Sequence, residues 1–139
     1  MKKISILIIC FFIAGCSGQH KDTEVVGKIN WTKNYSEAYK IAKESSKPVM
    51  IFFTASWCPY CIKLGKEVFT DDYVAEISEK FVNIFIDIDK DLETAKEFSV
   101  KGVPTILFID PGKNINKPYL GNRTAKDFAE KMKSFLKEY

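Results

Sequence analysis

A continuous apolar run, Val49-Met-Ile-Phe-Phe53, constrains the fold more than any other part of this sequence. A strand with one face in water alternates polar and apolar residues, whereas this run has no polar face. It therefore predicts a central strand that is covered on both sides. Similar runs at 82–88 and 105–109 indicate two further strands of the same sheet.

Helical segments alternate with these strands. One begins at Asn34, where a capping side chain is followed three residues later by an acid, and the last opens at Thr124 with the same spacing. A first strand is predicted at Val25–Trp31, a further helix at Asp91–Phe98, and an antiparallel return strand at 115–120. The order β-α-β-α-β-α-β-β-α predicts an α/β domain with a central mixed sheet flanked by helices.

The amino terminus has the pattern of an export signal. Two lysines precede an eleven-residue, almost unbroken apolar run, Ile4 to Ala14, which is too short to span a bilayer as a helix. The run ends in Ile13-Ala14-Gly15-Cys16, which resembles the bacterial lipobox, whose cysteine is lipidated and becomes the new amino terminus. An uncleaved anchor and an ordinary secretory signal are the alternatives. We predict a signal peptide at 1–15, a lipidated Cys16 with a polar tether through residue 24, and a folded domain at 25–139.

The net charge and the number of cysteines limit the functions that this chain could have. The net charge of +3 falls to +1 when Lys2 and Lys3 are removed with the signal, so the mature domain has no field to attract nucleic acid. Of the four cysteines, Cys10 lies in the signal and Cys16 carries the predicted lipid. Only Cys58 and Cys61 remain, and export would place this pair in an oxidising compartment.

The segment Trp57-Cys58-Pro59-Tyr60-Cys61 carries the predicted chemistry. It follows the buried strand and opens a helix, where backbone amides and the helix dipole stabilise an anion. Cys58 would receive that stabilisation at the exposed end of the motif, while Cys61, one turn further in, would be shielded. We predict that Cys58 attacks a substrate disulfide and that Cys61 resolves the mixed disulfide. Pro59 suits a helix start because its missing amide would have no partner there.

Half of a zinc site is the alternative reading of two cysteines at this spacing. Zinc takes four ligands, and the chain has one histidine, His20, which lies in the predicted tether. We therefore expect neither a metal nor a cofactor.

Five segments in a characteristic order resemble the thioredoxin-like family: Trp31, Lys47-Pro48-Val49, Thr54 to Cys58, Gly102-Val103-Pro104-Thr105 and Asp110-Pro111-Gly112. The resemblance extends from about residue 29 to the end of the chain. It is strongest to the exported bacterial subgroup related to the periplasmic domain of the inner-membrane thiol transporter. It implies a thioredoxin-like fold with a mixed sheet of four to five strands.

The same resemblance implies the substrate-binding residues. It implies a cis bond between Val103 and Pro104, in a loop that faces the cysteines and offers backbone groups to the substrate chain. Trp57 would lie at the rim of the site rather than in the core, with Pro59 and an exposed Tyr60 beside the cysteines.

Two departures from thioredoxin are visible. Thioredoxin has a buried acid six residues before its first cysteine, where this chain has Phe52. The lysine that pairs with that acid corresponds to Phe85, so apolar packing would replace a buried charge pair. The dipeptide Pro59-Tyr60 is the one found in glutaredoxins, but the surrounding sequence is not glutaredoxin-like, and we infer no glutathione binding.

These observations favour a protein thiol-disulfide oxidoreductase of the bacterial envelope, acting as a reductase. Its expected partners are proteins with disulfides or thiols, a membrane thiol that donates electrons, and the lipid bilayer through Cys16. Ser17 does not match the aspartate that retains enteric lipoproteins at the inner membrane, which favours the outer membrane. A disulfide-donating oxidase, and an adaptor or holdase without redox turnover, are the alternatives.

Overall fold

The computed structural model describes residues 23–113, 115–119 and 124–139. The predicted signal peptide, Cys16, Ser17 and His20 lie outside the described residues. The elements follow in the order β1 (Thr23–Val26), β2 (Ile29–Thr32), α1 (Tyr35–Ser45), β3 (Val49–Thr54), α2 (Pro59–Glu67), α3 (Asp72–Ser78), β4 (Val82–Asp87), α4 (Leu92–Glu97), β5 (Thr105–Asp110), β6 (Ile115–Tyr119) and α5 (Ala125–Glu138).

The six strands form one mixed sheet in the order β1-β2-β4-β3-β5-β6. Strand β4 runs parallel to both β2 and β3, while β1–β2, β3–β5 and β5–β6 are antiparallel pairs. The predicted mixed sheet is therefore present, with six strands instead of four to five. The predicted first strand, Val25–Trp31, is a hairpin of two strands that begins at Thr23, two residues before the predicted start of the domain.

Gly27 is the reason for that hairpin. Its φ of +67° lies in the left-handed region, and a Cβ at this position would stand 2.4 Å from the carbonyl oxygen of Phe69. The next residue, Lys28, donates its backbone N–H to the same oxygen at 2.7 Å. The turn is thus held against the end of α2, and only glycine fits it.

Strand β3 lies at the centre of the sheet, and all six of its residues are buried, as the apolar run predicts. Because side chains alternate along a strand, Met50 and Phe52 point to one face and Ile51 and Phe53 to the other. The first face packs into a core with α2, α3 and α5, and the second packs into a separate core with α1 and α4. Helices therefore cover the central strand on both sides.

Local signals set the helix boundaries. The Asn34 side chain accepts the N–H of Glu37 at 3.1 Å, and Thr124 forms a capping box with Asp127, so both predicted helix starts are confirmed. Helix α1 ends at Ser46, whose φ of 50° is left-handed. None of the helices in the described residues combines the length and the apolar character needed to cross a bilayer.

Candidate functional site

The two cysteines lie where the central strand passes into α2. Cys58 is the N-cap residue of this nine-residue helix and Pro59 its first residue. The Cys58 Sγ accepts the backbone N–H of Cys61 at 3.1 Å. A sulfur in this position stands at the positive end of the helix dipole and beside an amide donor, which are the two features that stabilise a thiolate.

Cys58 and Cys61 are joined by a disulfide, with their Cα atoms 5.3 Å apart. Their exposed fractions are only 1% and 4%. The expectation that Cys58 lies at an exposed end of the motif is therefore wrong for the disulfide form. As the N-cap, Cys58 turns its side chain back beneath the first turn of α2, so both sulfurs belong to the core on that face.

Trp57 lies outside the core, with 64% of its surface exposed. Its Nε1 donates to Oδ2 of Asp89 at 2.9 Å, which ties the segment before Cys58 to the loop after β4. The prediction that Trp57 is not a core aromatic is confirmed. Asp89 was not predicted, although parallel strands end at the same edge of a sheet and β3 and β4 are parallel neighbours.

Tyr60 is 58% exposed, as predicted, and the neighbouring Pro59 is exposed as well. Ile62 adds a further large side chain with 49% of its surface exposed. An apolar surface therefore adjoins the buried disulfide.

The Val103–Pro104 bond is cis, as the family resemblance implies. Strand β5 pairs antiparallel with β3, and Thr105 stands opposite Phe53. The residue before Thr105 therefore lies at the carboxyl end of β3, which is the end that leads to Cys58. This register brings Pro104 to the same edge of the sheet as the disulfide, and both Val103 and Pro104 are half-buried there.

A cavity of about 590 Å³ adjoins Cys61. Its lining includes Phe52 and Thr54 from β3 and their register partners Phe85 and Asp87 from β4. A second cavity of about 610 Å³ lies beside the cis bond, between the loop that ends at Pro104 and strands β5 and β6. Within the described ranges of the chain, histidine, cysteine and acidic residues form no group of three that could hold a metal ion.

The sequence model of the thioredoxin-like family matches residues 30–111, more than half of the chain. The chain belongs to this family. It is 38% identical to thioredoxin H5 of Arabidopsis thaliana over 86 residues, which cover 60% of this chain and 68% of that protein. It is 30% identical to the thiol:disulfide interchange protein DsbD of Campylobacter jejuni over 88 residues, which cover 60% of this chain and 16% of DsbD. The solved structure of the DsbH oxidoreductase superposes with a TM-score of 0.68 at 24% identity, covering 78% of this chain and 85% of that one, and supports the fold.

With its disulfide at the start of α2, this thioredoxin-like protein is a thiol-disulfide oxidoreductase. Such proteins cycle between a disulfide and a dithiol by exchange with the disulfides or thiols of partner proteins.

The structure also supports the predicted departure from thioredoxin. Phe52 and Phe85 stand opposite each other in the β3–β4 register, and their ring centroids are 5.9 Å apart in an edge-to-face arrangement. Phe52 also contacts Phe69, with the ring centroids 5.1 Å apart. Aromatic packing thus occupies the position where thioredoxin has its buried charge pair.

Proposed function

We propose that this thioredoxin-like protein reduces protein disulfides in the bacterial envelope, with Cys58 as the nucleophile and Cys61 as the resolving thiol. One observation carries this assignment: Cys58 is the N-cap of α2 and its sulfur accepts the Cys61 N–H. Cys61 lies within the helix and has no such donor at its own sulfur among the hydrogen bonds of the site. The thiolate of the dithiol form would therefore reside on Cys58.

The reaction has two exchange steps. The Cys58 thiolate attacks one sulfur of the substrate disulfide, and the other substrate sulfur leaves as a thiolate and takes a proton from solvent. Cys61 then loses its proton and attacks the Cys58 sulfur, which breaks the mixed disulfide and releases the second substrate sulfur. Two electrons and two protons pass to the substrate, and the protein returns to its disulfide form.

The substrate would bind across the surface around the disulfide. Trp57, Pro59 and Tyr60 supply an exposed apolar contact, and the backbone at Val103 and Pro104 would hold the substrate chain as an added strand. The register of β5 beside β3 supports this arrangement, because it brings Pro104 to the end of β3 that leads to Cys58.

Trapping of mixed disulfides in cells tests the roles of the cysteines. We expect the Cys61→Ser variant to accumulate covalent complexes with substrates, because nothing can resolve the bond at Cys58. The Cys58→Ser variant should trap almost none, and the double variant measures the background. Equal trapping by the two single variants would contradict the assigned roles, and trapping by neither would favour an adaptor or holdase.

The redox state in cells tests the direction of transfer. A reductase fed by a membrane thiol donor is held mainly as the dithiol, whereas an oxidase is held mainly as the disulfide. Alkylation of cells with a reagent that adds mass to free thiols distinguishes these states of Cys58 and Cys61. A protein found mainly as the disulfide would contradict the reductase assignment and favour the disulfide-donating oxidase.

The envelope location rests on the sequence Ile13-Ala14-Gly15-Cys16. We propose that Cys16 is the lipidated first residue of the mature protein and holds the domain at the membrane, because multiple acyl chains give stable anchoring. Ser17 favours the outer membrane. Mass spectrometry of the mature amino terminus tests the modification, and fractionation tests the anchoring. An unmodified terminus, or a Cys16→Ala variant that stays on the membrane, would contradict this proposal.

A further inference from the structure

One cavity is lined both by Cys61 and by a carboxylate, that of Asp87. The lining also combines two residues of β3 with their register partners of β4, Phe52 with Phe85 and Thr54 with Asp87. Residues two apart on a strand share a face, so Asp87 points to the same side of the sheet as the two rings. The carboxylate and Cys61 therefore line one cavity.

The cavity has room for several water molecules. Its volume of about 590 Å³ is many times the roughly 30 Å³ that one liquid water occupies, and Thr54 adds a hydroxyl between β3 and β4. The Asp87 side chain is 14% exposed. Its Oδ2 contacts the Lys90 ammonium at 3.0 Å, and its Oδ1 accepts the Asp89 N–H at 3.2 Å. The carboxylate is therefore held in place at the cavity.

We propose that Asp87 accepts the proton of the Cys61 thiol through water in this cavity. The proposal rests on the resolving role of Cys61 given above. In the mixed-disulfide state the Cys61 S–H gives its proton to cavity water, which passes a proton to the Asp87 carboxylate. The Cys61 thiolate then attacks the Cys58 sulfur, and Asp87 later returns the proton to solvent. Asp87 thus performs the task of the acid that Phe52 replaces, from the neighbouring strand.

Other charged groups face the same region. Lys66 from α2 and Lys90 from the loop after β4 line the cavity, and Lys33 and Asp91 line a smaller cavity together with Asp87.

Asp87 has two opposite effects on the resolving step, and the experiment must separate them. As a nearby negative charge it disfavours the Cys61 thiolate, so its removal would speed the resolving step. As a proton acceptor it speeds that step, so its removal would slow it.

The opposite signs make the Asp87→Asn variant informative. We expect its resolving step to be at least about tenfold slower at neutral pH, with the rate rising towards the wild-type rate at alkaline pH. Stopped-flow reaction with Ellman's reagent uses the reduced full-length chain with Cys10→Ser and Cys16→Ser, so that Cys58 and Cys61 are the thiols that react. It follows both steps, because Cys58 releases the first coloured thiolate and Cys61 the second. Asp72→Asn is the matched control, since this side chain is 91% exposed and pairs with Lys28 away from the cavity.

Chemical rescue separates proton transfer from structural damage. In Asp87→Ala the open cavity should admit formate or acetate, and the second step should accelerate in proportion to the added carboxylate, while the wild-type rate stays constant. A resolving step in Asp87→Asn within twofold of wild type, or faster, would overturn the proposal. So would a slower step with an unchanged pH profile and no rescue. If Cys61→Ser still released both thiolates, the resolving role itself would fail, which is a distinct result.

Discussion

Phe52 is the side chain on which we expect the stability of the site to depend most. It is 1% exposed, and its ring centroid lies 5.7 Å from Trp31, 5.1 Å from Phe69 and 5.9 Å from Phe85. Truncation of a buried phenylalanine to alanine costs about 3–5 kcal/mol. Because three rings contact Phe52, we expect the Phe52→Ala variant to lose about 4 kcal/mol of unfolding free energy. That is a large part of the roughly 5–15 kcal/mol that a domain has in total.

Phe85→Ala should lose less, about 2 kcal/mol, because Phe85 is only partly buried and borders the cavity. Urea unfolding followed by tryptophan fluorescence measures both, since Trp31 is fully buried beside Phe52. With a slope of about 2 kcal/mol per molar urea, Phe52→Ala shifts the midpoint by about 2 M. Ile41→Ala is the control, because Ile41 is 47% exposed on α1 and should change stability by less than about 0.5 kcal/mol. A loss below about 1.5 kcal/mol for Phe52→Ala, or a larger loss for Phe85→Ala, would refute the reasoning.

Two further predictions concern the redox potential and the response to acid. We expect a reduction potential of about −190 to −240 mV, because Pro59-Tyr60 separates the cysteines where thioredoxin has Gly-Pro. Equilibration of the protein with glutathione measures this potential. A potential of about −270 mV or below would contradict the role of the dipeptide. Burial would raise the pKa of Asp110, but the N–H groups of Lys113 and Gly112 and the Lys113 ammonium lower it below its usual 3.8. This stabilisation is present above about pH 4 and is lost as the pH falls through the lowered pKa of Asp110. Between about pH 6 and about pH 3, the Asp110→Asn variant should therefore lose less unfolding free energy than the wild type, as measured by urea unfolding. Equal losses in the two proteins would contradict this prediction.

The sequence predicts the elements of this fold well where one signal dominates. The unbroken apolar run predicts β3, and capping spacings predict the starts of α1 and α5, because each is a local property of the chain. The sequence did not predict the hairpin at Gly27, because a single glycine between apolar residues is also compatible with one continuous strand. The contact that leaves no room for a side chain there, with the carbonyl oxygen of Phe69, is distant in the sequence.

At the candidate site, too, the features with a local signal were predictable from the sequence and the others were not. The pair Cys58–Cys61 is recognisable from its spacing, and the cis bond at Pro104 was predicted only through the family resemblance, since most bonds before proline are trans. The burial of Cys58 could not be read from the sequence. It depends on how an N-cap side chain turns beneath its own helix once the disulfide has formed.

The sequence did not predict that Asp87 and Asp89 lie beside the cysteine site. One feature of the topology explains the position of both. Strands β3 and β4 are parallel neighbours, so the segment after β4 ends at the edge where β3 leads into α2. There Asp89 binds Trp57, and Asp87 faces the cavity opposite Thr54. Phe52 and Phe85 lie two residues earlier on the same two strands, where Phe52 is 1% exposed and packs against aromatic rings. A charge pair at that position would have to be desolvated. The carboxylate that we propose as the proton acceptor of Cys61 therefore loses less hydration at Asp87, whose side chain is 14% exposed, than it would at position 52.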